Sequence, residues 1–193
     1  MRPYAPSVDG PAQRTPGGPA DGPVGHSSGG PAGHGATVEL VPPAAVRPLR
    51  RAVLRPGRPT RESAYPGDDD PRAAHAVARG PVDGAVLSVG TVVPEAPPWL
   101  PAPASASTWR IRGMATTPSE RGRGLGTLVL GALLRHVATH GGGLVWCNAR
   151  IGARTFYERA GFGSRGEVFE LPGIGPHTAM WRTVDASGGP GAG

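Results

Sequence analysis

Large apolar side chains are almost absent from the first 35 positions and then recur in short, separated runs. Thr37–Val41 alternates as a strand does. From Pro42 to Pro56, Val46, Leu49 and Val53 share one helical face between fencing prolines. The arginines of that helix are expected on its solvated side. His75–Arg79 and Ala85–Val93 read as a hairpin across Gly80–Gly84. Pro97, Pro98, Pro101 and Pro103 forbid a ladder between Pro94 and Ser107, leaving a loop from which Trp99 is expected to fold back over a cleft. Trp109–Ala115 is a strand closed by Thr117-Pro118-Ser119. After it, Leu125, Leu128, Val129, Ala132, Leu133, His136 and Val137 recur at helical spacing until Gly141-Gly142-Gly143 stops the helix. Leu144–Ala149 is a buried strand, so strand, helix and strand form a right-handed parallel crossover. Arg150–Ala160 reads as a helix ended by Gly161, with Ala153, Phe156 and Ala160 inward and Phe162 packed over its end. Two last strands, Gly166–Leu171 and His177–Val184, flank a turn at Pro172–Pro176. The order of elements predicts an α/β domain with a mixed sheet.

Composition divides the chain. Among 193 residues, 32 are glycine and 24 proline, and these crowd the ends. Residues 1–36 and 187–193 bury too little apolar surface to offset the entropy of ordering, so both are expected to be disordered tails around a domain at 37–186. His26 and His34 in the first tail make no metal site. The net charge of +6 is carried by arginine alone, since the chain has no lysine. These arginines are scattered and do not alternate with aromatics, which argues against a specific nucleic-acid surface. Cys147 is the only cysteine, so no intrachain disulfide can form. The first residues carry no apolar leader, and no run approaches the roughly 20 apolar residues of a membrane span. The expected setting is the cytoplasm, away from membranes. Asp68-Asp69-Asp70 lacks calcium-ligand spacing and is expected to cap a turn or to lend negative charge near a cationic substrate. No metal centre is expected.

The chemistry concentrates in Glu120-Arg121-Gly122-Arg123-Gly124-Leu125-Gly126. A strand, a glycine-rich turn and a helix start present free N–H groups to an anion, and Arg121 and Arg123 add charge. Without Gly-Lys-Ser/Thr this is not a P-loop, and Val129 where a third glycine should stand excludes the dinucleotide fingerprint. Arg121, Gly124 and Gly126 instead match Q/R-x-x-G-x-G/A, so the stretch resembles the pyrophosphate loop of the GCN5-related N-acetyltransferase (GNAT) family. One helix and one strand later, Ala153-x-x-Phe156-Tyr157-Glu158-x-x-Gly161-Phe162 resembles the ending of the same family. Two motifs in the right order on the right elements carry the resemblance, which spans about Val38 to Val184. Gly173-Ile174-Gly175-Pro176-His177-x-x-Met180 looks like a small bacterial branch of it.

The resemblance implies a mixed sheet of six to seven strands with helices on both faces, whose parallel fourth and fifth strands splay apart. Acetyl-CoA would bind there as co-substrate. Backbone groups of Met114, Ala115 and Thr116 would meet the pantetheine arm, and Arg121, Gly122, Arg123, Gly124, Leu125, Gly126 and Thr127 the pyrophosphate. A primary amine, of a small molecule, peptide or protein, would attack the thioester directly. Tyr157 would protonate the departing thiolate. Relatives with a catalytic glutamate on the fifth strand have it where Asn148 stands here. Asn148 can orient an amine or water but accepts no proton. His177 is the leading candidate base, followed by Glu170 and His75. Near Arg150 the chain departs from the family, since the asparagine that often contacts CoA early in the last helix has no match and the connection is shorter. Cys147 is expected in the core, not as a nucleophile. Many family members dimerise, so a homodimer is within what the resemblance implies. The rival reading is a catalytically weak CoA sensor of the same fold.

Overall fold

The computed structural model describes residues 35–57, 64–101 and 107–187. The expected tails, with His26 and His34, lie outside the described residues apart from residues 35, 36 and 187. Seven strands form one sheet: β1 (Thr37–Val41), β2 (Ala74–Arg79), β3 (Val86–Pro94), β4 (Thr108–Thr116), β5 (Gly143–Arg150), β6 (Gly163–Leu171) and β7 (Gly175–Val184). Their order is β1-β2-β3-β4-β5-β7-β6. Among the described residues, three α-helices accompany them: α1 (Pro43–Leu54), α2 (Leu125–Thr139) and α3 (Arg154–Arg159). The seven-stranded mixed sheet with helices on both faces is the architecture expected from the sequence.

One face is covered by α2 and α3. Leu125, Val129, Leu130, Leu133 and Val137 of α2 bury against Val92, Trp109, Ile111 and Val145 of the sheet. On the other face, Val46 of α1 packs on Val77, Val89 and Ala115. Burying each such side chain contributes roughly 1.5–3 kcal/mol, and two covered faces account for the apolar runs of the central strands. The stripe on α2 passes through Leu130, which rotates it away from Leu128. That residue, expected inward, is 42% exposed. The helix expected over Arg150–Ala160 is a 3₁₀ turn at Ile151–Ala153 followed by α3. Strands β6 and β7 both start earlier than their sequence pattern suggests.

Two departures from regular pairing shape the middle of the sheet. Strands β4 and β5 are its parallel pair, and they share only the rungs Thr108–Leu144, Trp109–Val145 and Arg110–Trp146. Past Arg110 and Trp146 they part, while β5 stays paired with β7 to its end. On the other side of β4, Val89 pairs with Ala115 and Thr91 with Arg112, so Gly90 alone faces Gly113 and Met114. This bulge needs glycine at its turning point. Gly113 has φ +64°, and a Cβ there would stand 2.6 Å from Nε of Arg50.

Candidate active site

The opening between β4 and β5 is bordered by three pieces of chain. The first is the start of α2. Its N-cap, Gly124, sits at φ +80° and no side chain caps the helix. The amide of Leu128 reaches the Gly124 carbonyl at 3.1 Å, so the N–H groups of Leu125, Gly126 and Thr127 have no partner within the helix. A Cβ on Gly122 or Gly124 would meet nothing within 4 Å, so the loop is open on that side. Arg121 and Thr127 are exposed. Arg123 turns back to Glu120, with Nη1 donating to Oε2 at 2.8 Å. That pair is exposed enough to be exchanged at little cost for another anion.

The second piece is the far end of β4. The Thr117 amide donates to the Leu87 carbonyl, and the Ser88 hydroxyl donates to the Ala115 carbonyl at 3.2 Å. Alternation along the strand then aims the backbone groups of Met114 and Thr116 into the opening. Ala115, expected to offer a free group there, faces β3 instead.

The third piece is α3. A Cβ on Gly126 would lie 3.4 Å from Cε2 of Phe156 and 3.7 Å from Oγ1 of Thr116, so cradle, strand end and α3 converge on one place. Tyr157 is 6% exposed, and its ring meets Phe156 and Phe162 edge-on at 4.9 and 5.4 Å. Its ionisable neighbour is the Cys147 thiol, on the first residue of β5 beyond the last shared rung. Burial, with the Cys147 sulfur adding, pushes the phenol well above its ordinary value. Burial pushes the Cys147 thiol up to about 12, so it is a core residue as expected and no nucleophile.

Asn148 follows on the opposite face of β5, half-buried and paired with Ala179. His177 is buried on β7 opposite Arg150. Its Nδ1 lies 2.7 Å from the Gly175 carbonyl, which can only accept, so Nδ1 carries the proton and Nε2 is the acceptor of the neutral ring. The ring stacks on Phe169 at 6.2 Å. Its rung lies four positions along β5 from that of Trp146, roughly 13 Å. Tyr157, Cys147 and Asn148 thus gather at the fork, while His177 stands at the open end. Glu170 is exposed on β6. His75 is committed elsewhere: Nε2 donates to the Asp68 carbonyl at 2.8 Å, so Nδ1 accepts from the Thr91 hydroxyl at 2.8 Å.

The network around His75 is the largest feature the sequence does not disclose. Arg50 is completely buried, contrary to the expectation of a solvated arginine face on α1. Its guanidinium donates to Asp68 Oδ2 at 2.7 Å and to Thr91 Oγ1 at 2.5 Å, and lies 4.4 Å over the Tyr65 ring. Asp68 also accepts the Tyr65 amide at 3.0 Å, so it caps a turn, as expected, and neutralises a buried cation as well. Val46, four positions before Arg50, is the sequence's one hint that this arginine lies on the inward stripe.

Beside this network, Arg110 Nη1 binds Glu95 Oε1 at 2.6 Å and Arg112 approaches Oε2 of the same carboxylate at 3.6 Å. Arg110 lies 4.6 Å over the Trp146 ring, whose Nε1 donates to the Glu95 carbonyl. Trp99 closes edge-on against Trp146 at 5.5 Å, folding back as expected.

Known proteins resemble this chain in sequence and in fold. The family model described as Acetyltransferase (GNAT) family matches residues 45–162. The chain is 32% identical over 139 residues to the uncharacterized N-acetyltransferase YitI of Bacillus subtilis (strain 168), covering 72% of this chain and 90% of that one. A GCN5-related N-acetyltransferase from Kribbella flavida superposes with a TM-score of 0.58 at 19% identity, over 78% of this chain and 98% of that one. An aminoglycoside 6'-N-acetyltransferase complexed with coenzyme A superposes at 0.57 and 13% identity, over 81% and 99%. The chain belongs to the GNAT acetyltransferase family. It is an acyltransferase. Among the described residues no group of three or more His, Cys, Asp or Glu could hold a metal ion, and no helix is long and apolar enough to cross a membrane.

Proposed function

We propose that the chain transfers acetyl from acetyl-CoA to a primary amine by direct attack within a ternary complex. The observation that carries the reading is a parallel strand pair that opens after three rungs, with an uncapped helix start at its outer end and a buried, protonated phenol at its fork. The N–H groups of Leu125, Gly126 and Thr127, with Arg121 and Arg123, would receive the pyrophosphate. Met114 and Thr116 would hydrogen-bond the pantetheine arm. The arm would complete the sheet where β4 and β5 part, setting the thioester carbonyl against a β4 amide able to hold an oxyanion. Tyr157 keeps its proton at neutral pH and would deliver it to the departing thiolate. Asn148 would orient the amine, and His177, through its Nε2 and intervening water, would take the amine's proton. Holding amine and thioester in attack geometry supplies much of the rate.

The rival reading, a CoA-binding module without turnover, draws on Asn148, which offers no base at the fork. Tyr157 argues for the enzyme, since a sensor has no use for a proton donor there. Titration of the full chain with acetyl-CoA, followed by release of free CoA across an amine panel, separates the two. Tyr157→Phe is expected to lower turnover by about 10²-fold or more with acetyl-CoA affinity unchanged. Equal loss of both would make Tyr157 structural, and absence of acetyl-CoA binding would overturn the reading.

A further inference from the structure

If acetyl-CoA occupies the opening from the side of α2 and α3, the acceptor must arrive from the opposite face of the sheet, beside α1. Register places Arg110 and Trp146 on that face at the last shared rung, with Arg112 and Asn148 one pleat further on either side of the gap. The charges there do not balance. Arg50 is neutralised inside by Asp68, but Arg110 and Arg112 share one carboxylate, that of Glu95. Arg165 lies 5.4 Å over the Trp99 ring and has no ion pair among the described residues. The Nε atoms of Arg110 and Arg112 are buried without hydrogen-bond partners; Arg112 Nη2 donates to the Pro66 carbonyl, while its Nη1 reaches Glu95 only at 3.6 Å, so the donors left for a ligand are the remaining Nη–H groups. Both are only half-buried, with side-chain exposures of 25% and 14%, leaving the groups within reach of a ligand.

We propose that the acceptor amine carries a carboxylate, as in an amino acid or a peptide with an acidic group, and that Arg112, assisted by Arg110, receives it. The inference rests on the acetyl-transfer reading above. A planar guanidinium with free donors matches a carboxylate in two parallel hydrogen bonds. An acceptor that offers only ammonium groups meets like charge at this rim and gains no partner. Burial holds the Arg112 guanidinium below its ordinary value, opposed by Glu95 and Asp68 and reinforced by Arg110 and Arg50, so a carboxylate arriving here would offset a desolvation cost already incurred. The surplus of positive charge at this rim favours the neutral form of the incoming amine, the form that attacks, at a fork where Asn148 supplies no carboxylate.

The test compares amines differing only in carboxylate against carboxamide, such as glutamate with glutamine and their dipeptide counterparts, with spermidine as the cationic probe. Acidic members are expected to exceed their amides in kcat/KM by at least about tenfold. Arg112→Gln is expected to reduce that ratio to within about twofold while acetyl-CoA affinity stays, and Arg110→Gln to reduce it in part. Because each ratio is taken on one preparation, partial misfolding of a variant does not alter it. Equal use of acids and amides, preference for spermidine, or an unchanged ratio in Arg112→Gln would each overturn the inference and leave acetyl transfer standing. Acetyl-CoA binding with no acetylation of any amine would remove the catalytic reading and this inference with it.

Discussion

Replacing Arg50 by methionine should be among the most damaging single changes outside the cleft. The substitution preserves much of the side-chain volume but removes the guanidinium from a site that admits no water. Asp68, whose side chain is also 0% exposed, would keep the Tyr65 amide at 3.0 Å as the partner of Oδ2, and its Oδ1 has no partner to begin with. Removing one member of a buried ion pair strands the other and costs about 3–5 kcal/mol. Domains of this size are stable by about 5–15 kcal/mol, and each kcal/mol moves the melting point by about 2–4 °C. The expected fall is therefore about 6–20 °C. Adding Asp68→Leu removes the stranded charge, so the double variant should regain most of the loss. Urea unfolding followed by circular dichroism at neutral pH measures all three proteins. Arg50→Met within about 1 kcal/mol of the parent, or a double variant weaker than the single one, would refute the account of this pair.

The His75 imidazole is held below its ordinary value, chiefly by burial, so the unfolded chain takes up its proton at higher pH than the folded one. Its stabilising contribution is complete above about pH 6.5 and is lost as pH falls from there through the folded value. The urea midpoint should fall between about pH 7.5 and about pH 5, and by less in His75→Gln; equal falls would absolve His75. With its thiol pushed up to about 12, Cys147 should resist a disulfide reagent at mildly alkaline pH in the native protein and react fully in denaturant. Rapid native labelling would contradict its burial. In Gly90→Ala the new methyl would overlap Sδ of Met114 and approach Cγ1 of Val129 to 2.9 Å, for an expected loss of about 1–3 kcal/mol by urea unfolding. An unchanged midpoint would mean the bulge is softer than drawn.

What the sequence discloses follows from how local each cause is. The cradle from Arg121 to Thr127 is legible because glycine, uncapped helix start and apolar spacing all lie within a few residues. Phe156 and Tyr157 are legible as a contiguous block. Arg50 is not, because its partners Asp68, Thr91 and Tyr65 are distant in sequence and arginine is ordinarily a surface residue. The orientation of Ala115 depends on the register with β3, and a bulge one residue earlier or later would reverse it. His177 sits far from the fork because β7 pairs with β5 over its whole length, a fact of pairing rather than composition. Gly113 inside a strand is a visible sign of a bulge, yet only the fold shows that Arg50 fills the space its missing side chain leaves.

The brevity of the β4–β5 ladder also divides the sheet mechanically. Strands β1 to β4 form one panel and β5, β7 and β6 another, joined along a seam of three rungs and bridged by packing of α2. Every other junction between neighbouring strands is stitched for more of its length, so the seam is where the protein opens most cheaply. Acetyl-CoA lying in it as proposed, bonded to both panels, would be a structural member as well as a substrate. At a hundredfold excess over its dissociation constant such a ligand adds about 2.7 kcal/mol to cohesion. Substrate supply would then govern how long the two panels stay together, coupling the enzyme's lifetime to its work.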